Sequence, residues 1–268
     1  NADGRRKTDR PRRRRGIIHV GIHVGVRAGI RGGARDGPVC RDSRRRSQEG
    51  TGPYAEERLS GAALQFDAVA GPPRVGAVAA RLDSKLFGSL FQAVDVDRRL
   101  TVLEIGSALP ETVDFFAQFK CRLLFVDLFS EPFVHDQADL SETELRHCFE
   151  ERFRFPADTR LDLCLFWDFL SYLDDPALRA FNSALRPWLH RGSRAHGFGA
   201  HHLGIRLANV RYGVRDRETL NVRERGGRQL RTHPHSQLEM QEMLNCFAFE
   251  RGLLLADGRL EMLLKPQV

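Results

Sequence analysis

Several acidic and basic side chains stand in or directly after short apolar runs of this sequence. Glu104 interrupts one run, and Asp127 and Asp168 each follow another. A fourth run ends at His201 and His202. A carboxylate in such a position can accept hydrogen bonds from the hydroxyls of a ribose, and a histidine has an ordinary pKa near neutrality, which suits a general base. These residues are the first candidates for chemistry.

The stretch from 101 to 128 predicts the elements that would position the first of these side chains. An apolar strand stops at Gly106, a tight turn covers Gly106–Leu109, and Pro110 suits the first turn of a helix. Leu123–Val126 then forms a continuous apolar run, typical of a parallel strand that is buried on both faces. This is a βαβ unit, in which ligands bind at the carboxyl ends of the strands. Asp127 follows Glu104 by 23 residues (127 − 104), which places it to bind a ribose.

A second stretch predicts another central strand that reaches the same edge. Residues 161–173 are apolar through Phe166 and then turn polar at Asp168. Asp175-Pro176 marks the start of a helix, and Arg194–Ala200 is the predicted next strand. Two adjacent histidines at its end point in opposite directions, so they do not jointly ligate one metal ion without a bend. An ordinary surface or loop role for both histidines stays open.

The carboxyl-terminal part predicts an antiparallel hairpin. Cys246–Glu250 and Leu253–Leu255 precede Asp257-Gly258, a pair of residues typical of hairpin turns, and the alternating run Leu260–Leu264 follows. A helix, a strand, a turn and a last antiparallel strand therefore close the domain.

In order and spacing, residues 74–265 resemble a class I, seven-stranded S-adenosylmethionine-dependent methyltransferase. The segment Glu104-Ile105-Gly106-Ser107-Ala108-Leu109-Pro110 matches the E/D-x-G-x-G-x-G motif of that family at its first two fixed positions, with Ala108 and Pro110 standing where glycines are expected. The resemblance implies a doubly wound, mostly parallel seven-stranded α/β sheet with an antiparallel C-terminal hairpin and helices on both faces. It also implies S-adenosylmethionine as a small-molecule cofactor and methyl transfer to an unidentified acceptor.

The resemblance also implies roles for individual residues. Glu104, Gly106, Ser107 and Ala108 would hold the amino-acid end of the cofactor. The remaining cofactor contacts would be Asp127 and Leu128 at the ribose, Asp139 as the best match to an acidic residue that follows strand 3, and Trp167 as a wall. The candidates near the methyl acceptor are Asp168, His201 and His202. Asp139 would serve equally well as a capping or solvated residue beside Ser141, which begins a capping box with Glu144.

Two other readings remain open at this point. Ala108 narrows the approach of backbone to ligand and Pro110 removes an N–H donor, so a catalytically inactive methyltransferase-like binding domain is the alternative. A nicotinamide-dependent oxidoreductase shares the strand, turn and ribose carboxylate, but the missing G-x-G-x-x-G and the antiparallel hairpin disfavour it.

Composition and charge divide the chain. Residues 1–58 carry 16 Lys and Arg against 7 Asp and Glu, a net of +9, which leaves 26 against 28, a net of −2, for residues 59–268. We therefore expect a basic, low-complexity and disordered segment over 1–60 and a methyltransferase-like domain over 61–268. A role of the basic tail in nucleic-acid binding is not favoured.

Apolar runs and cysteine spacing lead to expectations about the cellular compartment and about metal binding. There is no run of 18 apolar residues, and the five cysteines form no C-x-x-C pair. We expect a cytoplasmic protein with buried reduced thiols, no structural metal and no membrane contact.

Two further elements are predicted beside the sheet. Val75, Val78, Leu82, Leu86 and Leu90 recur at helical spacing and predict an amphipathic helix that ends near Val94. Residues 204–232 are rich in arginine with interspersed apolar residues, which predicts a basic hairpin or lid over the substrate pocket. Arginine on such a lid would favour an acidic or phosphorylated substrate. Ser236 with Glu239 predicts a capped helix directly after it.

Overall fold

The computed structural model describes the backbone of residues 18–22 and, with their side chains, residues 80–92, 94–200, 202 and 204–268. Ten strands are found in these residues: β1 (Ile18–Ile22), β2 (Ala80–Asp83), β3 (Leu100–Ile105), β4 (Cys121–Val126), β5 (Leu161–Trp167), β6 (Leu189–Gly199), β7 (Val210–Val214), β8 (Thr219–Glu224), β9 (Phe247–Leu254) and β10 (Leu260–Pro266). The α-helices are α1 (Pro110–Phe116), α2 (Pro132–His135), α3 (Glu142–Arg152), α4 (Asp175–Leu185) and α5 (Gln237–Met243). Short 3-10 turns cover Phe87–Gln92, Leu128–Ser130, Gln137–Asp139, Phe169–Tyr172 and Arg186–Trp188.

Seven strands form the main sheet in the order β1-β4-β3-β5-β6-β10-β9. The first five run parallel, and β10 pairs antiparallel with both β6 and β9. All seven residues of β5 are buried, because this strand lies in the middle of the sheet with packing on both faces. The mostly parallel α/β sheet with an antiparallel C-terminal hairpin, predicted from the sequence, is confirmed.

Apolar side chains cover both faces of this sheet. On one face α3, α4 and α5 pack on the strands, with Phe149 and Phe181 in ring contact at 5.4 Å between centroids. On the other face the aromatic rings of α1 pack against the 3-10 turn at Phe87–Gln92. Helices and turns therefore lie on both faces, as predicted. The capping boxes at Ser141 and Ser236 are also both present.

The edge strand beside β4, which the family forms from the segment after strand 2, comes here from a distant part of the chain. Residues 127–139 contain 3-10 turns and the short helix α2 but no strand. The position beside β4 is filled by β1, with Ile18 paired to Cys121 and Ile22 to Phe125. The family pattern, in which an acidic residue follows strand 3, therefore does not apply to Asp139.

The amphipathic helix predicted up to Val94 is wrong over its described residues. Ala80–Asp83 is strand β2, and Phe87–Gln92 is a 3-10 turn that buries Leu90. The apolar spacing correctly indicated that Leu86 and Leu90 are buried. The segment is nevertheless not a helix, because β2 pairs with β8, about 140 residues away, and this pairing prevails over the helical periodicity of the sequence. Val75 and Val78 lie outside the described residues.

A second, three-stranded antiparallel sheet in the order β2-β8-β7 forms what we call the cap sheet. Hydrogen bonds join it to α1. The backbone N–H of Val214 donates to Thr112 Oγ1 at 3.1 Å, and Arg223 donates to Glu111 Oε1 at 2.8 Å. The insertion at 204–232 thus contributes the hairpin β7–β8, placed over the start of α1.

The expectation of buried reduced thiols is confirmed for Cys121, Cys164 and Cys246 and is wrong for Cys148, which is disulfide-bonded. Cys40 lies outside the described residues. In the part of the chain that the structure describes, no helix is long and apolar enough to cross a membrane.

Candidate functional site

The turn after β3 is built around Gly106. Its φ of +145° lies in a region where a residue with a side chain would be strained, and its N–H donates to the carbonyl of Val126 at 2.9 Å. The turn therefore ties the end of β3 to the end of β4. Ser107 and Ala108 follow and lead to Pro110, the first residue of α1.

The ends of β3 and β4 border one cavity of about 580 Å³. From the main domain the cavity is lined by Ser107, Asp127, Phe129, His135 and Asp136, among others. From the insertion it is lined by Arg211, Arg225, Gly226, Gly227 and Arg228. Ser107, predicted at the glycine turn, and Asp127, predicted at the ribose, therefore line the same cavity.

Arg225 forms part of the wall between these elements. Its guanidinium carbon lies 3.4 Å from the centroid of the Phe129 ring, and its Nη1 lies 4.0 Å from Asp127 Oδ1. Nη2 donates to the carbonyl of Val210 at 2.6 Å, which fixes the side chain to β7. Burial lowers the pKa of Arg225, and the charges of Asp168 and Asp127 oppose that shift. The side chain of Asp127 remains 39% exposed, so this carboxylate can still accept a ligand.

Glu104 does not reach the cavity. It is 3% exposed and is not among the lining residues, and its Oε2 has no hydrogen-bond partner in the described structure. Burial raises the pKa of Glu104 well above its ordinary value, with the neighbouring Trp167 indole acting in the opposite direction. Burial therefore disfavours the charged form of this carboxyl group, which would be the form that binds an amino group.

Trp167 is sealed into the core rather than forming a wall of the cavity. It is 2% exposed and adopts a φ of +51°, which is uncommon for a residue with a bulky side chain. Its ring stacks on Tyr212 of the cap sheet at 5.5 Å and lies 6.3 Å from the Phe87 ring. β5 ends at this residue, and Asp168 follows it directly.

Asp168 is the centre of a buried polar cluster. Its Oδ2 accepts from the hydroxyls of Tyr172 at 3.2 Å and Tyr212 at 3.4 Å, while Arg259 donates to the Tyr212 hydroxyl at 2.9 Å. Burial raises the pKa of Asp168 to about 6, and the charge of Arg225 and the Tyr172 hydrogen bond limit the rise. A carboxyl group with a pKa of about 6 changes between a proton donor and a proton acceptor near physiological pH.

The other residues that the sequence singled out lie elsewhere. Leu128 is fully buried in the core, and Ala108 and Asp139 are exposed and do not line the cavity. His202 is exposed in a bend and accepts a hydrogen bond from the N–H of Gly204 at 3.1 Å through its own Nδ1. His201 lies outside the described residues.

Sequence reasoning did not find three of the residues that shape the site: Phe129, Tyr212 and Arg259 are not among its candidates. Phe129 is close in sequence to Asp127, which gave a weak local signal. Tyr212 and Arg259 reach Asp168 from the cap sheet and from the C-terminal hairpin. No local pattern links such distant segments.

No group of three or more His, Cys, Asp or Glu side chains in the described ranges is arranged to hold a metal ion.

Comparisons with known proteins give likenesses in structure only. No family model matches the chain, and no curated protein matches it. A putative methyltransferase from Thermobifida fusca YX is 13% identical, covers 68% of this chain and 78% of its own, and has a TM-score of 0.41. An S-adenosylmethionine-dependent methyltransferase from Clostridium acetobutylicum ATCC 824 is 12% identical, with coverages of 69% and 92% and a TM-score of 0.40.

A third solved structure, the 1,6-didemethyltoxoflavin-N1-methyltransferase of Burkholderia thailandensis with bound S-adenosylhomocysteine, is 18% identical, with coverages of 64% and 72% and a TM-score of 0.37. The strand order itself, with five parallel strands and an antiparallel C-terminal hairpin, gives a Rossmann-like α/β sheet.

Proposed function

We propose that this chain is an S-adenosylmethionine-dependent methyltransferase whose donor binds in the cavity at the carboxyl ends of β3 and β4. The observation that carries the proposal is the shared cavity of Ser107 and Asp127. Asp127 would accept hydrogen bonds from the ribose hydroxyls, and Phe129 offers an aromatic ring beside them.

The residues present fit the adenosine part of the donor. Asp127 Oδ1 and Ser107 Oγ are buried polar atoms without a hydrogen-bond partner in the described structure, and both residues line the cavity. When bound, the donor supplies an activated methyl group on a sulfonium centre, so the protein mainly has to orient the two reactants and exclude water.

Asp168 is the candidate proton acceptor for the methyl-accepting nucleophile. Burial raises its pKa to about 6, close to physiological pH, and the hydroxyls of Tyr172 and Tyr212 donate to Oδ2. Asp168 is 1% exposed and does not line the cavity, and its Oδ1 has no hydrogen-bond partner in the described structure, so this oxygen would take a proton from an acceptor only if the surrounding side chains moved. His202 would contribute only if the exposed bend approached the cavity, and His201 remains a sequence-based candidate.

A binding domain without catalysis is the second candidate function. It is favoured by Glu104, which is buried and does not line the cavity, and by Arg225, which already covers part of the Phe129 ring at the cavity wall. A domain of this kind would keep the cavity but would not hold the amino-acid end of a methyl donor in the usual way.

The test is isothermal titration of S-adenosylhomocysteine into the wild type, Asp127→Asn and the matched control Asp139→Asn. Hydrogen bonds to a charged group contribute about 1.5–3 kcal/mol, so Asp127→Asn is expected to weaken binding by about tenfold or more. Asp139 is exposed outside the cavity and its substitution should change nothing. Absence of binding to the wild type at millimolar ligand would support the non-catalytic domain instead.

A further inference from the structure

The charges around the cavity do not balance. Three arginines line it, at 211, 225 and 228, against Asp127 and Asp136. Arg225 lies 4.0 Å from Asp127, and Arg228 Nη1 lies 3.7 Å from Asp136 Oδ1. After these two pairings Arg211 is the lining arginine that has no acidic partner among the described residues.

The immediate surroundings of Arg211 leave its guanidinium poorly satisfied. Its only described hydrogen bond is a long one, from Nη2 to the carbonyl of Glu224 at 3.4 Å. Its Nε is buried and has no partner in the described structure. A guanidinium that is partly withdrawn from water without an anion is unfavourable, so its retention on a cavity wall points to a ligand that completes it.

Other groups on the same wall can assist an anion. Ser107 Oγ is also buried without a described partner, and a serine hydroxyl can donate. Gly227 has a φ of +95°, and neither it nor Gly226 has any atom within 4 Å of the position of an added Cβ. The backbone there is open, and a ligand can approach it closely.

We propose that Arg211, assisted by Ser107, is the anion-binding residue of the cavity and holds a carboxylate or phosphate group of the bound molecule. A planar guanidinium fork matches both groups in geometry and charge. The anion has two sources: the carboxylate of the methyl donor, in which case the inference rests on the proposed function, or a carboxylate or phosphate on a separate acceptor.

Four ligands distinguish the sources in titrations at low ionic strength. Phenyl phosphate and benzoate carry an anion without adenosine. S-adenosylhomocysteine carries adenosine and a carboxylate, and 5′-methylthioadenosine carries adenosine alone. Each is titrated into the wild type, Arg211→Gln, Arg211→Lys and the control Arg215→Gln, which changes an exposed arginine in the turn of the same hairpin, outside the cavity lining.

We expect Arg211→Gln to weaken at least one anionic ligand by about tenfold or more, Arg211→Lys to weaken it less, and 5′-methylthioadenosine to be unaffected. A loss confined to S-adenosylhomocysteine identifies the donor carboxylate. A loss confined to phenyl phosphate or benzoate identifies a separate anionic acceptor. Thermal unfolding of each variant shows that the fold is retained.

Two results would overturn the inference: no anionic ligand binds the wild type, or Arg211→Gln changes no affinity by more than twofold beyond the Arg215→Gln control. The inference and the proposed function fail separately. Binding of phenyl phosphate through Arg211, without binding of either adenosine compound, would refute methyl transfer and keep the anion site. Equal binding of S-adenosylhomocysteine to the wild type and Arg211→Gln, with no effect of the substitution on the other anions, would refute the anion site at Arg211 and keep the proposed binding of the methyl donor.

Discussion

Replacement of Glu261 by glutamine should destabilise the fold by about 3 kcal/mol at pH 7. Glu261 is fully buried on β10, where its Oε1 accepts from Ser84 Oγ, from His196 Nε2 at 2.9 Å and from the N–H of Leu86 at 3.0 Å. Oε2 accepts from the N–H of Lys85 at 3.0 Å. These bonds join the segment after the cap strand β2 to the main sheet, so Glu261 connects the two sheets of the site.

The magnitude follows from the pKa of this carboxyl. Burial alone would raise it, but the hydrogen bonds from His196 and Ser84 lower the pKa of Glu261 from 4.5 to about 2. At 1.36 kcal/mol per pKa unit, this difference is about 3 kcal/mol. Because the folded-state pKa is depressed, the stabilisation is present above pH 4.5 and is lost as the pH falls toward 2.

The assay is urea unfolding of the wild type, Glu261→Gln and the exposed control Glu242→Gln, followed by tryptophan fluorescence at pH 7 and pH 3. The gap between the wild type and Glu261→Gln should shrink from about 3 kcal/mol at pH 7 to about 1 kcal/mol at pH 3. A gap under 1 kcal/mol at pH 7 would refute the reasoning. A gap that does not change with pH would show that geometry, and not charge, is responsible.

Three further outcomes are expected. In a methyl-transfer assay the rate should rise with pH, with a midpoint at about pH 6, as Asp168 ionises. Arg225→Ala should move this midpoint upward, because it removes a positive charge that lowers the pKa of Asp168. An unchanged midpoint would exclude Asp168 as the titrating group. Arg223→Ala should cost about 1–3 kcal/mol in urea unfolding, because it removes the charged partner of the partly buried carboxylate of Glu111, and a cost near zero would show that other contacts hold the cap sheet. Burial raises the pKa of Cys121 to about 11 and of Cys246 to about 12, so neither thiol should react with a disulfide reagent at pH 8 until the protein is unfolded, as peptide mass mapping would show.

The parallel core of the fold was accessible to sequence reasoning because its signals are local. An apolar run, a glycine, a proline at the first helical position and a second apolar run fix a βαβ unit through short-range sterics and burial. The same holds for the capping box at Ser141 and for the hairpin turn at Asp257-Gly258. The sequence also placed Ser107 and Asp127 at one edge, since carboxyl ends of neighbouring parallel strands meet there.

Contacts between distant segments decided three features that the sequence did not predict. These are the cap sheet, the strand beside β4, and the residues around Asp168 and the cavity. Nothing local in Ala80–Asp83 indicates that it pairs with β8, and nothing in 127–139 indicates that Ile18–Ile22 fills the place beside β4. Glu104 satisfies the motif in sequence, yet it is buried beside Trp167 and does not line the cavity. Local patterns report which residues prefer burial or a turn, whereas partners across the chain are selected by the whole set of competing contacts. For this reason the sequence determined the βαβ core of the sheet and the position of Asp127, and only the tertiary structure decided which strand lies beside β4 and that arginines of the insertion form the cavity wall near Asp127.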